Sequence, residues 1–163
     1  MRFTISGCWA IQLSRSSRQT AKLVSILLAS RTAPKFSGCR GGRTVWEYAA
    51  HNKDLKAGVA FYGSLVDPET QASIWPKSPT ALAPQMQAPV LGLYGEADQG
   101  IPLTQVDAMK AALQGAGKTF EIKVYPGAPH GFHADYRASY RKEAAEEAWK
   151  EMIAWFKKYK VLS

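Results

Sequence analysis

Cysteine is scarce in this sequence, and long apolar runs are missing from it. The 163 residues include two cysteines, Cys8 and Cys39, which are too far apart for a C-x-x-C pair. So few cysteines exclude a disulfide-stapled scaffold and indicate a reducing compartment, for which the cytoplasm is the expected case. The apolar run at residues 23–29 has seven residues, whereas a membrane-spanning helix needs about 20. The sequence therefore predicts neither a membrane span nor a membrane partner.

Acidic residues are absent from the first 43 positions. This segment holds eight of the 21 Lys and Arg residues, and the other 13 are matched by 13 Asp and Glu, so the net charge of +8 arises from it. Composition alone leaves three interpretations of residues 1–36 open: an organellar transit peptide, a basic arm that touches phosphate backbones, or a replaced or misread start of the chain. For such an arm we expect only weak association with nucleic acid and no specific recognition, because no recognition motif accompanies the charge.

Beyond residue 43 the apolar residues follow alternating helix and strand patterns. Six segments carry such patterns: helices at 44–51, 103–114 and 143–159, and strands at 56–62, 89–94 and 120–125. The proline-rich stretch 64–88 is interpreted as a surface connection with one short helical turn. Because strands that alternate with helices are typical of parallel sheets, the sequence predicts an α/β fold with a parallel sheet flanked by helices.

A candidate nucleophile lies in the glycine-rich stretch S-G-C-R-G-G-R at residues 37–43, at the start of the first predicted helix. The stretch has the form small-x-nucleophile-x-Gly, which is the pattern of the strained strand-to-helix turn called a nucleophile elbow. Ser37 and Gly41 satisfy the need for small residues two positions either side of Cys39. The backbone N–H of Arg40 would point to where an oxyanion forms, and the helix N-terminus would favour a thiolate. A cysteine that only packs is the alternative.

A carboxylate and a histidine follow the later strands. Asp98 comes after the second predicted strand and His130 after the third. The order nucleophile, acid, histidine is that of α/β hydrolases, and open parallel sheets place their sites at the carboxyl ends of strands. We therefore expect His130 to act as the base for Cys39, with Asp98 holding its other ring nitrogen. The helix N-terminus, the charges of Arg40 and Arg43 and the histidine base are all expected to lower the pKa of the Cys39 thiol.

The histidine loop also carries a pattern that is typical of metal sites. His130, His133 and Asp135 form H-x-x-H-x-D. No further His or Cys stands at ligand spacing, so we predict no metal. His51, at the end of the first predicted helix, is interpreted as a solvated side chain.

Together these motifs resemble the dienelactone hydrolase family. The resemblance rests on the stretch around Cys39, on K-A-G-V-A-F-Y-G at 56–63, on the Asp98 loop that ends in I-P, and on H-G-F-H-A-D-Y-R at 130–137. It runs from residue 37 to residue 159 and implies a partial α/β-hydrolase fold, with a domain at 37–163 that corresponds to the family's C-terminal half. The family's N-terminal strands have no counterpart and are missing or replaced, which favours the third interpretation of the basic segment.

The resemblance implies a hydrolase of small esters or lactones that needs no cofactor. Cys39 would attack the carbonyl carbon and form an acyl-thioester, with His130 and Asp98 completing the triad. The resemblance also implies that Tyr62 and Arg137 line the substrate pocket, where Arg137 would clamp a substrate carboxylate. A solvated surface charge is the alternative for Arg137.

A second class of function stays open beside the enzyme. With the family's N-terminal half unmatched, the chain would be a non-catalytic remnant or an interaction module of the same fold. Three strands leave a sheet edge uncovered, and an open edge can pair with another chain. This alternative therefore predicts self-association through the edge of the sheet.

Overall fold

The computed structural model of the protein describes residues 40–67 and 77–162. Along this part of the chain the elements follow one another as α1 (Arg40–His51), β1 (Gly58–Phe61), α2 (Pro79–Leu82), a 3₁₀ turn (Ala83–Gln85), β2 (Val90–Gly95), α3 (Leu103–Gly115), β3 (Phe120–Tyr125) and α4 (Lys142–Lys158). The predictions for the basic segment 1–36 and for Cys39 lie outside the described residues.

The three strands form one parallel sheet in the order β1-β2-β3. Every residue of β1 and β2 is buried, as expected of parallel strands covered on both faces. Most of β3 is only partly buried. The fold class predicted from the sequence, a parallel sheet flanked by helices, is confirmed.

Helix α1 begins at Arg40, four residues earlier than its apolar spacing predicts. The additional turn contains Gly41 and Gly42, which have no side chains and so add nothing to the periodicity. The buried face that follows includes Val45, Trp46 and Ala49, and this face packs on β1.

The later helices match the predictions with small shifts. The predicted buried face of α3, formed by Val106, Met109 and Leu113, is confirmed. Helix α4 is rotated relative to its prediction, because Trp149 is only partly buried whereas Trp155 is buried. The stretch predicted as a connection contains α2 followed directly by the 3₁₀ turn. The parallel pairing brings the carboxyl ends of all three strands to one edge of the sheet.

Candidate active site

The loops that leave the three strands meet at the carboxyl edge of the sheet. Tyr62 directly follows β1, Asp98 lies three residues beyond β2, and His130 lies five residues beyond β3. The parallel pairing aligns the strand ends, since Phe61 is paired with Leu93 in β2. Three of the residues expected at the site are therefore brought to the same edge.

Asp98 and His130 form the polar centre of this edge. Asp98 Oδ2 lies 2.7 Å from His130 Nδ1, and Asp98 Oδ1 accepts hydrogen bonds from the N–H groups of Gly100 at 2.8 Å and Ile101 at 3.0 Å. The Asp98 side chain is fully buried, whereas 28% of the His130 side chain is exposed. Three hydrogen bonds offset the cost of burying the carboxylate. The contact to Nδ1 also holds the imidazole ring beside the carboxylate.

The two loops are joined by backbone contacts that we call the loop junction, formed by residues 95–97 and 125–128. The N–H of Glu96 donates to the carbonyl of Tyr125, and that of Ala97 donates to the carbonyl of Ala128, both at 3.0 Å. A Cβ atom on Gly95 would lie 2.1 Å from the Ala128 carbonyl oxygen. Only glycine permits this approach, and the approach sets the distance between the acid and the histidine.

Tyr62 has an unusual backbone conformation for a bulky residue. Its φ is 35°, in the left-handed region, and its N–H donates to the Leu93 carbonyl at 2.8 Å. The side chain is fully buried, with its ring centroid 5.2 Å from that of His130 and 5.5 Å from that of Phe132. Backbone strain of this kind persists where the surroundings hold it, and it often marks functional sites. The conformation ends β1 at Phe61 and places the Tyr62 ring beside the histidine.

The first turn of α1 reaches the same edge through a contact that we call the helix junction, formed by Gly42 and residues 61–63. A Cβ atom on Gly42 would lie 2.3 Å from the Phe61 carbonyl oxygen, and a Cβ atom on Gly63 would lie 2.2 Å from the Gly42 carbonyl carbon. Backbone therefore touches backbone, which side chains at either glycine would prevent. Because α1 begins at Arg40, this contact holds the first turn of the helix against the end of β1.

Arg43 is paired with carboxylates inside the protein. Its Nε and Nη2 atoms lie 2.6 Å from Glu47 Oε1 and from Asp67 Oδ1, and Nη1 donates to the Val66 carbonyl at 3.3 Å. The guanidinium charge is thus matched by two carboxylates. These bonds connect α1 to the loop that follows β1. The expected effect of this charge on the Cys39 thiol stays a prediction, because Cys39 lies outside the described residues.

The spacing of residues along α1 carries a sequence signal for this buried arginine. Arg43 precedes Trp46 by three positions and Ala50 by seven, and both of these residues are buried. Helical spacing therefore places Arg43 on the buried face of α1. A charged side chain at such a position needs partners, which the sequence does not identify.

Arg137 lies on the surface of the histidine loop. It is exposed, its guanidinium carbon lies 5.7 Å from the centroid of the Tyr136 ring, and its Nη1 lies 3.4 Å from the place of a Cβ atom on Gly131. Gly131 follows His130 directly, so the guanidinium lies beside the histidine loop. Both interpretations of Arg137, a carboxylate clamp and a solvated charge, agree with this position.

The second histidine of the loop faces a different environment. His133 is buried between Phe61, at a ring-centroid distance of 4.9 Å, and Trp149, at 6.2 Å, and burial lowers its pKa. Its Nδ1 atom makes no hydrogen bond with the described residues. An open groove of about 360 Å³ runs past it, with Asp135 and Glu146 in its lining.

Neither a metal site nor a membrane span emerges from residues 40–67 and 77–162. No three of the His, Cys, Asp and Glu side chains in these ranges are grouped as a metal would require. None of the helices there is long and apolar enough to cross a membrane. His51 is exposed at the end of α1, as expected.

Comparison with known proteins relates this arrangement to a family. A model described as the dienelactone hydrolase family matches residues 28–160. A protein of Methylorubrum extorquens with the provisional name carboxymethylenebutenolidase is 54% identical over 123 residues, which are 76% of this chain and 42% of that protein. A protein of the same provisional name from Escherichia coli is 50% identical over 121 residues, 74% of this chain and 44% of that protein.

A solved structure is similar as well. The crystal structure of a provisionally named dienelactone hydrolase from Klebsiella pneumoniae is 52% identical in sequence and has a TM-score of 0.70. The match covers 75% of this chain and 50% of that one. The chain thus spans about half the length of the relatives that it matches.

Proposed function

Because the chain belongs to the dienelactone hydrolase family, we propose that it hydrolyses ester or lactone bonds with Cys39 as nucleophile, His130 as base and Asp98 as partner of that base. The 2.7 Å contact between His130 Nδ1 and Asp98 Oδ2 carries this proposal. A carboxylate has no hydrogen to donate, so Nδ1 carries the proton and Nε2 keeps a lone pair. Nε2 is then the atom that can accept a proton from the thiol.

The first half of the proposed reaction forms an acyl-thioester. His130 Nε2 takes the thiol proton while Cys39 Sγ attacks the carbonyl carbon. The resulting oxyanion accepts a hydrogen bond from the Arg40 N–H, one of the N–H groups at a helix start that lack an intrahelical partner. Collapse breaks the bond between carbon and the leaving oxygen, and His130 returns the proton to that oxygen. In a lactone the leaving alcohol stays attached to the acyl group.

The second half releases the product. A water molecule loses a proton to His130 Nε2 and attacks the thioester carbon. The carbon–sulfur bond breaks, the carboxylic acid leaves, and the proton on His130 returns to the Cys39 thiolate. Asp98 keeps its hydrogen bond to Nδ1 throughout and stabilises the imidazolium that forms in each half.

The proposed substrate class is a small ester or lactone that bears a carboxylate. The provisional name of the relatives, carboxymethylenebutenolidase, denotes a lactone with a carboxymethylene group. Tyr62 lies against His130 and would form an aromatic wall of the pocket. Arg137, on the loop that carries His130, supplies a guanidinium of the kind that binds carboxylates in a bidentate manner.

Hydrolysis of p-nitrophenyl acetate by single-cysteine variants tests the nucleophile. We expect Cys39→Ala to lower kcat/KM by about 10³-fold or more, while Cys8→Ala, the matched control in the basic segment, hydrolyses the ester like the wild type. Equal rates in the wild type and Cys39→Ala would reject Cys39 and favour the non-catalytic interaction module.

A pair of esters tests the clamp. Arg137→Gln is expected to raise KM about tenfold or more for an ester that carries a carboxylate and to leave KM for its neutral methyl analogue unchanged. Arg141→Gln removes another exposed arginine, whose guanidinium donates to the carbonyls of Ala138 and Tyr140, and serves as the control. Equal effects of Arg137→Gln on both esters would reject the clamp.

A further inference from the structure

The hydroxyl of Tyr94 joins three elements beneath the candidate site. Tyr94 belongs to β2 and is fully buried. Its hydroxyl accepts a hydrogen bond from Trp46 Nε1 in α1 at 3.0 Å and donates one to the Gly63 carbonyl at 3.1 Å. Burial raises the pKa of the hydroxyl, so its proton is retained for the bond to Gly63 at working pH.

The two partners of this hydroxyl lie on opposite sides of the helix junction. Trp46 lies one helical turn beyond Gly42 on α1, and Gly63 is the residue whose backbone touches Gly42. Gly63 also follows Tyr62, whose ring lies beside His130. One hydroxyl therefore ties the helix that begins next to Cys39 to the backbone that carries the neighbour of His130.

We propose that Tyr94 is a positioning residue that keeps the start of α1, and with it Cys39, in register with the His130 ring. This role rests on the proposed thiol chemistry. A thiol and an imidazole must stay within hydrogen-bond reach for the imidazole to lower the thiol pKa and to transfer its proton. Tyr94 acts through its hydrogen bonds to Trp46 and Gly63.

Tyr125 supplies a matched comparison. It ends β3, where it is paired with Gly95 of β2, so both tyrosines lie at the same end of neighbouring strands. The Tyr125 hydroxyl is also buried, but it makes no hydrogen bond with any described residue. Removing the Tyr94 oxygen deprives the Trp46 N–H and the Gly63 carbonyl of a hydrogen-bond partner. Removing the Tyr125 oxygen deprives no group among the described residues of a partner.

The experiment compares Tyr94→Phe with Tyr125→Phe in a Cys8→Ala background, where Cys39 is the one remaining thiol. The rate of alkylation by iodoacetamide is measured against pH, and kcat and KM are measured on p-nitrophenyl acetate. For Tyr94→Phe we expect kcat to fall about 10- to 100-fold, as for a misplacement of reacting groups, with KM within about twofold of the wild type. The alkylation curve is expected to shift to higher pH, because the thiol loses its imidazole partner.

The outcomes separate this inference from the proposed function. A folded Tyr94→Phe protein with the kcat and the alkylation curve of the wild type would overturn the inference, as would an equal shift in Tyr125→Phe. If Tyr94→Phe does not fold, Trp46→Phe is measured instead, because it removes only the hydrogen bond from α1 to the Tyr94 hydroxyl. A wild-type alkylation curve in that variant overturns the inference. If the wild type shows no thiol-dependent hydrolysis, the proposed function fails, and alkylation still decides the role of Tyr94 since it needs no turnover.

Discussion

At the helix junction, the backbone of the first turn of α1 contacts the backbone at the end of β1. Around this contact, polar side chains form hydrogen bonds between different secondary-structure elements. At the loop junction, two backbone hydrogen bonds join the acid loop to the histidine loop, and the Glu96 carboxylate accepts a third from the Gly127 N–H. The helix junction thus depends on Arg43 and Tyr94, which are buried and hydrogen-bonded to distant segments. The loop junction depends on strand register and on one glycine, Gly95. We therefore expect substitutions at the helix junction to lower stability as well as activity, whereas substitutions in the loops that the loop junction joins should lower activity and leave the fold in place.

The largest effect is expected from Gly63→Ala, which breaks the helix junction. The new Cβ would lie 2.2 Å from the Gly42 carbonyl carbon, so α1 must move away from β1. We expect a loss of more than about 4 kcal/mol of unfolding free energy, measured by urea denaturation. Gly115→Ala is the control, because a Cβ there meets nothing within 4 Å, and its stability should stay within about 1 kcal/mol of the wild type. Equal stability of the two variants would contradict the close packing of the junction.

Asp98→Asn, next to the loop junction, should lower activity and leave the fold in place. The amide nitrogen can donate to His130 Nδ1, which would place the ring proton on Nε2, where a base must accept one. We expect kcat/KM to fall on the order of 10²- to 10⁴-fold with little change in the urea midpoint. Asp107→Asn, at an exposed position of α3, should retain full activity. A wild-type rate in Asp98→Asn would remove Asp98 from the proposed mechanism.

Arg43→Met tests whether the helix junction depends on paired charge. The side chain of methionine fills much of the space, but Glu47 and Asp67 lose the cation that lies 2.6 Å from each. We expect a loss of about 2–4 kcal/mol of unfolding free energy, read from thermal or urea unfolding. Arg141→Met, at an exposed site, should change it by less than about 0.5 kcal/mol. An unchanged stability in Arg43→Met would show that the carboxylates find other partners.

The smallest expected effect is a pH dependence of the unfolding free energy that arises from His133, the second histidine of the histidine loop. Burial lowers the pKa of His133 in the folded protein, so below about pH 6.5 the unfolded chain binds a proton that the folded chain does not. This contribution to stability is complete above that pH and is lost as pH falls. Relative to His133→Phe, the wild type should therefore lose up to about 1.4 kcal/mol per pH unit below pH 6.5. Urea midpoints of both proteins at pH 7.5, 6.5 and 5.5 measure the difference, and parallel pH profiles would contradict it.

Much of the fold could be predicted because its elements carry local patterns. The strand β3 was predicted with the bounds that it has, Phe120–Tyr125, since apolar and polar residues alternate there. The start of α1 was placed four residues too late, because Gly41 and Gly42 carry no periodic signal. The inward face of α4 was only partly predicted. Trp149 and Trp155 are both apolar, and only the packing of the helix shows that Trp155 is the buried one.

The sequence identified the candidate site residues themselves but not the buried side chains that hold their elements in place. Asp98 and His130 were identified from chain order and from their places after strands, and in the structure they are hydrogen-bonded. Cys39, Tyr62 and Arg137 keep their assigned roles as predictions. The bonds of Arg43 to Asp67 were not foreseen, because the partners are 24 residues apart in the sequence and neither position carries a local pattern that points to the other.

The sequence by itself determined the order of strands and helices, the parallel sheet, the family, and the positions of an acid and a histidine after successive strands. These properties follow from periodicity, turn residues and motif order, which are local in the chain. Tertiary structure alone decided that Gly42 touches Gly63, that Arg43 is neutralised by carboxylates, and that the Tyr94 hydroxyl joins α1 to the end of β1. Apart from the pair of Arg43 with Glu47 in the same helix, these contacts link residues that are distant in the sequence and are brought together by the packing of α1 on the sheet. Close-packed interiors fix such distances through backbone approach and buried hydrogen bonds.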